Sequence, residues 1–423
     1  MPQVETVRGK VGTASLGAVL MHEHIFVVNP EIQYNHPEQW GSEDARVSDA
    51  VRRLNELKAA GIDSIVDLTV LGLGRYIPRI KRVAEQTSLN ILVATGLYTL
   101  NDLPFYFAGR DVEAMVDAFA RDIEVGIADT GVRAAILKCA TGPLGLTPGV
   151  EKALRAVARA QLRTGVPIST HSHVANRSGL DQQRILLEEG VDLGRVIIGH
   201  SGDSTDIGYL EALIQNGSYL GMDKFGLDLH LPFEQRVEVV AEMCRRGHHG
   251  RMVLSHDAAC YTDWLDEDEI PRLGANWNYL HISRDVIPAL LRSGVTQEQV
   301  RAMLVENPRQ ILGTFADPAP LPLVPGSRLR SQACLTEIIV VRPPASPVIL
   351  SCGGQPMVPF DSAQPAGTEP SAGLTAGNEL GKRYTALDDS GLEVLVTKAG
   401  QGTLSIGPTP LVVKQAAALP SSD

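Results

Sequence analysis

The chain has 423 residues, 44% hydrophobic and 21% charged, a globular balance too long for one ordinary domain of about 150 residues, though a single α/β barrel takes about 250 or more. Its 38 Lys and Arg against 49 Asp and Glu give a net charge of −11, which argues against a general nucleic-acid-binding role because no basic face is advertised. The opening MPQVETVRGKVG has no apolar run behind a basic stub, and no stretch approaches the ~20 apolar residues of a membrane span, so neither a secretory leader nor a membrane segment is expected.

Short apolar runs recur along residues 1–316: AVLMHEH (18–24), SIVDLT (64–69), ILVATG (91–96), AAILKCA (134–140), PISTH (167–171), RVIIGH (195–200), SYLGMD (218–223) and RMVLSHD (251–257). Amphipathic stretches with helical spacing lie between most of them. DAVRRLNELKAAG (49–61) and VEKALRAVARAQLRTG (150–165) each close on Gly, a C-terminal helix stop. Strands alternating with helices imply a parallel sheet, and eight such units imply a (β/α)8 TIM barrel. A doubly wound open sheet would need a glycine-rich phosphate turn after its first strand, and none is present.

The chain changes character near residue 317. Fourteen of the 26 prolines follow, starting with Asp317-Pro318-Ala319-Pro320, while all eleven histidines and all three tryptophans precede. Residues 317–332 therefore read as a proline-rich linker. Residues 333–423 read as a small β-rich appendage of open role, built on LTEIIVV (335–341), PVIL (347–350), LEVLV (392–396) and TPLVV (409–413). Its Gly-, Pro-, Ser- and Ala-rich middle, 353–381, is expected to be flexible. The five cysteines (Cys139, Cys244, Cys260, Cys334, Cys352) are scattered without a CxxC pair, so neither a zinc knuckle nor a disulfide framework is indicated, and a reducing cytosol is the default.

In such a barrel the chemistry sits at the C-terminal ends of the strands. Strand 1 ends His22-Glu23-His24, whose two imidazoles share a face because strand residues two apart point the same way. Strand 4 carries Lys138, strands 5 and 6 end at His171 and His200, and strand 8 ends at Asp257. One histidine at a strand end is more often structural. Four histidines, a lysine and an aspartate converging on one mouth point to a metal site, and imidazole with carboxylate suits Zn, Co, Mn or Fe(II). A barrel-facing ammonium at Lys138 would be costly to bury and repelled by two cations. A neutral amine that adds carbon dioxide becomes an anionic, bidentate carbamate able to bridge them; the alternative is a lysine reaching solvent at the mouth. His173 reads as a loop residue, His256 as facing the helices, His248-His249 as a solvated turn and Cys139 as packing. Asp203 and Asp206 are outer candidates after strand 6.

This pattern resembles the amidohydrolase superfamily. The words VLMHEHI, ILKCAT, IGHSGD and LSHDAACYTDW resemble its phosphotriesterase family, and more narrowly the phosphotriesterase-like lactonases, over about residues 3–315. The resemblance implies two divalent metal ions, zinc foremost: His22, His24 and Asp257 hold the buried one, His171 and His200 the more exposed one. Carboxylated Lys138 and a hydroxide bridge both. It further implies opening of N-acyl homoserine lactones (quorum quenching), weak organophosphate triester hydrolysis and a homodimer; the chemistry of such a site makes Asp257 the expected proton carrier. Tyr98, in ATGLYTL, matches a tyrosine beside the metals in these lactonases. Only 28 residues separate Asp223 from Arg251, and a helix over 231–247 leaves loop 7 short, with an open groove for an acyl chain. Loop 8, from Ala258 to about His281, carries Cys260, Trp264 and Trp277 to roof it. Lys224 stands where these lactonases commonly have arginine; it keeps the charge and loses the planar fork. Tyr98, Lys224, Cys260 and Trp264 are thus the expected substrate contacts. Among rivals, a metal-dependent deoxyribonuclease would carry Glu on strand 4 and a basic rim. A dihydroorotase-like cyclic amide hydrolase would share the modified lysine. In a non-catalytic reading the barrel is a scaffold and the tail a partner-binding module; the intact ligand set argues against the scaffold and leaves the tail's role open.

Overall fold

In the computed structural model, which describes residues 2–266, 269–313, 321, 323–345, 348–360, 370, 374–386, 391–406 and 409–414, the chain divides into two units, Met1–Phe315 and Ala316–Asp423. In the first, the eight apolar runs become eight strands: β1 (Val19–Glu23), β2 (Ser64–Asp67), β3 (Asn90–Gly96), β4 (Ile136–Ala140), β5 (Ile168–His171), β6 (Val196–Ile198), β7 (Tyr219–Met222) and β8 (Met252–Leu254). Strands covered on both faces read as continuous apolar runs rather than alternation, and every residue of β1, β2, β4, β6, β7 and β8 is buried. Neighbours pair in parallel in chain order. The seam between β8 and β1 is joined by His22 N–H to Ser255 Oγ (2.8 Å), Asp257 N–H to His22 O (3.1 Å) and His24 N–H to Ala258 O (2.9 Å). The sheet thereby curls into the TIM barrel that the strand–helix rhythm predicts.

The outer layer is α1 (Glu43–Ala59), α2 (Ile77–Ala84), α3 (Val112–Glu124), α4 (Pro148–Thr164), α5 (Ser178–Glu188), α6 (Ile207–Gln215), α7 (Phe233–Arg245) and α8 (Ile287–Arg292). The helix ends follow local chemistry. Thr147 Oγ1 accepts from Val150 N–H, Pro148 occupies the first turn of α4, and Gly165 stops the helix in the left-handed conformation at φ 72°. The buried stripe Val150, Ala153, Leu154, Val157 and Ala158 seats α4 on the sheet. α1 begins at Glu43, ahead of the amphipathic stretch, because Ser42 caps it earlier. With α7 starting at Phe233, loop 7 is the short segment 223–232. In loop 8, Tyr261–Thr262 pairs with Phe26–Val27, and a short helix, Ile270–Leu273, follows.

The second unit contains β9 (Arg328–Arg330), β10 (Glu337–Arg342), β11 (Leu350–Cys352), β12 (Gln355–Pro356), β13 (Val358–Pro359), β14 (Arg383–Thr385), β15 (Glu393–Lys398), β16 (Leu404–Ile406), β17 (Thr409–Pro410) and β18 (Val412–Val413). They form two antiparallel sheets, ordered β13-β9-β10-β15-β14-β18 and β12-β11-β16-β17. Alternation of buried and half-exposed residues along β10 is the pattern of a sheet with one covered face. Leu329, Ile338, Val340, Leu350, Val394, Val396 and Leu404 make its core. β9 lies inside the stretch read as linker: Leu329 is buried and pairs with Ile338, so the packed unit reaches back into 317–332. Of the expected flexible middle, residues 361–369 and 371–373 fall outside the described residues. Among the described residues, no helix is long and apolar enough to cross a membrane.

Candidate metal centre

The barrel brings the six expected ligands to one mouth. His22 is in β1 and His24 just beyond it, Lys138 is in β4, His171 ends β5, and His200 and Asp257 lie just past β6 and β8. Asp257 Oδ1 is 3.2 Å from both His22 Nε2 and His24 Nε2. Its Oδ2 is 3.7 Å from His200 Nε2, which in turn is 2.7 Å from His171 Nδ1. Lys138 Nζ is 3.0 Å from His22 Nε2. His22, His24 and Asp257 place their ligand atoms within 4.8 Å of one another, a spacing one ion could span.

Three of the four imidazoles have their outer nitrogen occupied. His22 Nδ1 donates to Asp223 Oδ2 at 2.8 Å and His200 Nδ1 to Asp223 Oδ1 at 2.9 Å, while His24 Nδ1 is 2.9 Å from Thr69 Oγ1. The Asp223 carboxylate only accepts, so it fixes the tautomers of His22 and His200 and aims their Nε2 lone pairs at the centre, while Thr69 orients the His24 ring. Asp223 Oδ1 also accepts the His200 N–H at 2.8 Å. Burial pushes the Asp223 carboxyl up, but the charges and hydrogen bonds of His200 and His22 outweigh it and hold it well below the usual carboxylate range. Asp223 has the proximity of a ligand to His22 and His200. Its oxygens, however, lie on their Nδ1 sides and are taken by three N–H donors, so it orients the rings instead. The sequence reading gives Asp223 no role. The available signal was a carboxylate ending an apolar strand, where burial demands partners.

Lys138 is 1% exposed, which excludes the alternative of an amine in solvent. Burial lowers its ammonium to about 8, against the pull of Asp257 and Asp223, so a neutral fraction exists near neutral pH.

Glu23, between the two β1 histidines, faces the other way and is fully buried. Its Oε1 accepts from His256 N–H (2.9 Å) and His256 Nδ1 (2.8 Å), and its Oε2 from Ala258 N–H (3.0 Å). These donors flank Asp257, whose backbone is left-handed at φ 55°. His200, at φ 61°, is held in the same region by Asp223. Two metal-ligand candidates thus sit in an uncommon conformation, each fixed by a buried carboxylate. His256 Nε2 accepts from Ile282 N–H, and Trp277 Nε1–H donates to the His256 carbonyl, both at 2.9 Å. The residue expected only to face the helices therefore ties β8 to loop 8 and to the helical turn Ile282–Val286 that leads into α8.

The remaining candidates stand apart from the cluster. His173 lies in the loop after β5, Cys139 is buried in the core, and Asp206 caps α6 through Tyr209 N–H (3.0 Å). His248 is not simply solvated; its Nε2 is 3.0 Å from Glu211 Oε1.

Over the cluster lies a cavity of about 240 Å³, walled by Val27, Leu73, Tyr98, Ala259, Thr262, Trp264, Leu265 and Trp277, with His22, His24, Lys138, His171 and Asp257 at its base. Tyr98 stands edge-on to His171 at 5.3 Å between ring centroids and leans on Trp264 at 5.7 Å. Burial and the Asp257 charge push its phenol above the ordinary value, so it remains a proton donor. Of the four expected substrate contacts, Tyr98 and Trp264 line this cavity, and Lys224 and Cys260 are not among its lining residues. Lys224 Nζ is drawn 3.1 Å from Asp203 Oδ2, and Arg236 Nη2 holds the other oxygen at 2.7 Å. Cys260 Sγ is buried 3.4 Å from the Tyr279 hydroxyl and borders a neighbouring cavity with Arg46 and Arg53.

The phosphotriesterase family model matches residues 2–312. The chain belongs to the phosphotriesterase family. It is 64% identical over 318 residues to a phosphotriesterase homology protein of Mycobacterium tuberculosis, covering 74% of this chain and 98% of that protein. It is 38% identical over 305 residues to an aryldialkylphosphatase of Saccharolobus solfataricus, covering 72% and 97%. A solved structure of the phosphotriesterase from Mycobacterium tuberculosis superposes with a TM-score of 0.72 at 63% identity, covering 74% of this chain and 98% of that one. The barrel is thus a hydrolase of the metal-dependent phosphotriesterase type. The family is binuclear, and inward Nε2 lone pairs beside a carboxylate are a donor set that fits divalent metal. The family match ends before the second unit.

Proposed function

We propose that this chain is a binuclear metal-dependent lactonase that opens N-acyl homoserine lactones, a quorum-quenching activity, with promiscuous hydrolysis of organophosphate triesters. The observation that carries the reading is the largely apolar cavity set directly on the ligand cluster, with Tyr98 in its wall. His22, His24 and Asp257 would hold one metal, His171 and His200 the other, and Lys138 would span both as a carbamate. Zinc suits the set, as do cobalt, manganese and iron. Metals bound there supply Lewis acidity and acidify a water.

The chain's own groups do the rest. The neutral Lys138 Nζ adds to carbon dioxide and releases a proton, leaving an anionic carbamate where an ammonium would be repelled. Tyr98 O–H donates toward the lactone carbonyl as negative charge develops on its oxygen. Asp257 accepts a proton and delivers it to the departing alkoxide, completing the hydroxy acid. Leu73, Trp264, Leu265 and Trp277 seat the acyl chain and exclude water.

The test is a panel of homoserine lactones of varied acyl length, paraoxon and a cyclic amide, run on protein of measured metal content. Lactone kcat/KM should exceed paraoxon kcat/KM by about 100-fold or more; parity or reversal overturns the assignment. Reversal would establish the second reading, a dedicated phosphotriesterase, which the names of the relatives favour. Metal content should be about two per chain and fall to about one in Lys138→Ala. We also infer a homodimer, checked by sedimentation.

A further inference from the structure

The fold of the second unit joins two cysteines that are separated in sequence and unassigned by any reading of the barrel. Cys334 lies in the turn before β10 and Cys352 ends β11, yet their sulfurs are 3.7 Å apart. The absence of a CxxC spacing concealed this pair. Cys352 is fully buried, whereas Cys334 is only partly buried.

The two sulfurs meet opposite ends of one glycine residue. Gly402 N–H donates to Cys334 Sγ at 3.3 Å, while Cys352 S–H donates to the Gly402 carbonyl at 3.5 Å. Thr336 Oγ1 is 3.1 Å and Ser331 Oγ 3.5 Å from Cys334 Sγ. Thr336 Oγ1 already accepts from Asn378 Nδ2, and Ser331 Oγ from the Ala333 and Cys334 N–H groups. The Thr336 hydroxyl proton is therefore free to turn to the Cys334 sulfur, whereas at Ser331 it is the Cys334 S–H that donates to the hydroxyl oxygen. The Gly402 N–H and the Thr336 hydroxyl favour a thiolate at Cys334; at Cys352 burial and the Gly402 carbonyl keep the thiol protonated, although the Thr336 and Ser331 hydroxyls also act on it. Close approach of Gly400 and Gly402 makes this contact: a Cβ at Gly402 would stand 2.8 Å from Cys352 Sγ and 3.1 Å from Cys334 Sγ, and one at Gly400 2.9 Å from Cys334 Sγ. Burial pushes the Cys334 thiol up, but these donors outweigh it and bring it to about 7; burial pushes Cys352 up to about 12.

We propose that Cys334 and Cys352 form a redox-active dithiol that undergoes thiol–disulfide exchange with a small-molecule disulfide, Cys334 attacking and Cys352 resolving. The Cys334 thiolate attacks one sulfur of the oxidant, whose S–S bond breaks; the leaving thiolate takes up a proton, and a mixed disulfide remains on Cys334. Cys352 then gives up its proton and attacks the Cys334 sulfur, expelling the second thiolate, which takes that proton. Two protein thiols and one disulfide become one protein disulfide and two small thiols. The order follows from access, because an oxidant meets Cys334 first.

The test uses the full-length, metal-loaded protein and oxidised glutathione as the probe, with acid quenching and non-reducing peptide mapping. The expected sequence is a glutathionyl adduct on Cys334, then a Cys334–Cys352 peptide pair lighter by two hydrogen atoms. Cys139, Cys244 and Cys260, buried with thiols pushed up to about 12, 11 and 12, stay unmodified as internal controls. Cys352→Ser should accumulate the adduct on Cys334. Wild-type alkylation by iodoacetamide, which needs no variant to fold, should be at least about tenfold faster at Cys334 than at Cys352. Failure of the 334–352 bond to form under excess oxidised glutathione overturns the proposal. So does a first adduct on Cys352, or equal alkylation rates.

Discussion

Asp223→Asn is the sharpest probe of how the ligand set is held. The substitution is nearly isosteric, so packing should survive. It removes one negative charge and converts one oxygen into an NH2 donor. Oδ1 serves the His200 backbone N–H and Nδ1, and Oδ2 serves His22 Nδ1 alone. The backbone N–H cannot change its role, so the amide oxygen must face His200 and the amide nitrogen His22. His22 Nδ1 then becomes an acceptor, and its proton moves to Nε2, the atom 3.2 Å from Asp257 Oδ1. The ligand lone pair is lost on the His22–His24–Asp257 side. Loss of such an orienting partner costs about 10–100-fold in metal affinity, or about 1.4–2.7 kcal/mol. Competition with a chromophoric chelator measures the two dissociation constants, and elemental analysis the residual content. The metal on the His22 side should weaken selectively, with kcat/KM falling in parallel. A variant with wild-type metal affinity at both positions and full activity would refute the tautomer argument.

Other outcomes follow from the same geometry. In metal-free protein, Lys138 holds its proton with a value of about 8 against an ordinary 10.5, so the unfolded chain binds the extra proton between these values and stability rises with pH across that window. The neutral amine grows from roughly a tenth to nine-tenths between about pH 7 and pH 9, so at constant dissolved carbon dioxide the metal reconstitution rate should rise about tenfold; a flat profile contradicts a carbamate. Tyr98→Phe keeps the ring against His171 and Trp264, and should lower lactone kcat/KM by about 10–100-fold while affecting paraoxon less, read from paired kinetics. Glu23→Ala leaves the buried His256 and Ala258 N–H groups unpartnered and should cost about 2–5 kcal/mol in urea unfolding; a loss under about 0.5 kcal/mol would show that the Asp257 turn holds itself. A chain ending at Asp317 should keep its kcat/KM, since the six ligands and Tyr98 all precede it. A ~100-fold fall would mean that about 2.7 kcal/mol of transition-state stabilisation depends on the second unit.

What the sequence determined by itself was whatever depends on local period and local chemistry. Buried parallel strands declare themselves as unbroken apolar runs, and the helices between them by 3.6-residue stripes closed on Gly61 and Gly165, so the barrel was legible. Strand alternation alone put His22 and His24 on one face, and the barrel rule put Lys138, His171, His200 and Asp257 at the same mouth. Tertiary structure alone decided which groups complete one another across the chain. Asp223 reaches His22 from 201 residues away, and Glu23 reaches His256 from 233. The sequence reading made Lys224 and Cys260 substrate contacts by position, but Asp203 and Tyr279 draw them off the cavity wall. Cys334 and Cys352 meet because β11 pairs with β16 and brings Gly402 between them. A strand period fixes the side of the sheet on which a side chain stands. The partner of a buried polar group is fixed only when closure of the sheet sets the distance between residues that no periodicity relates.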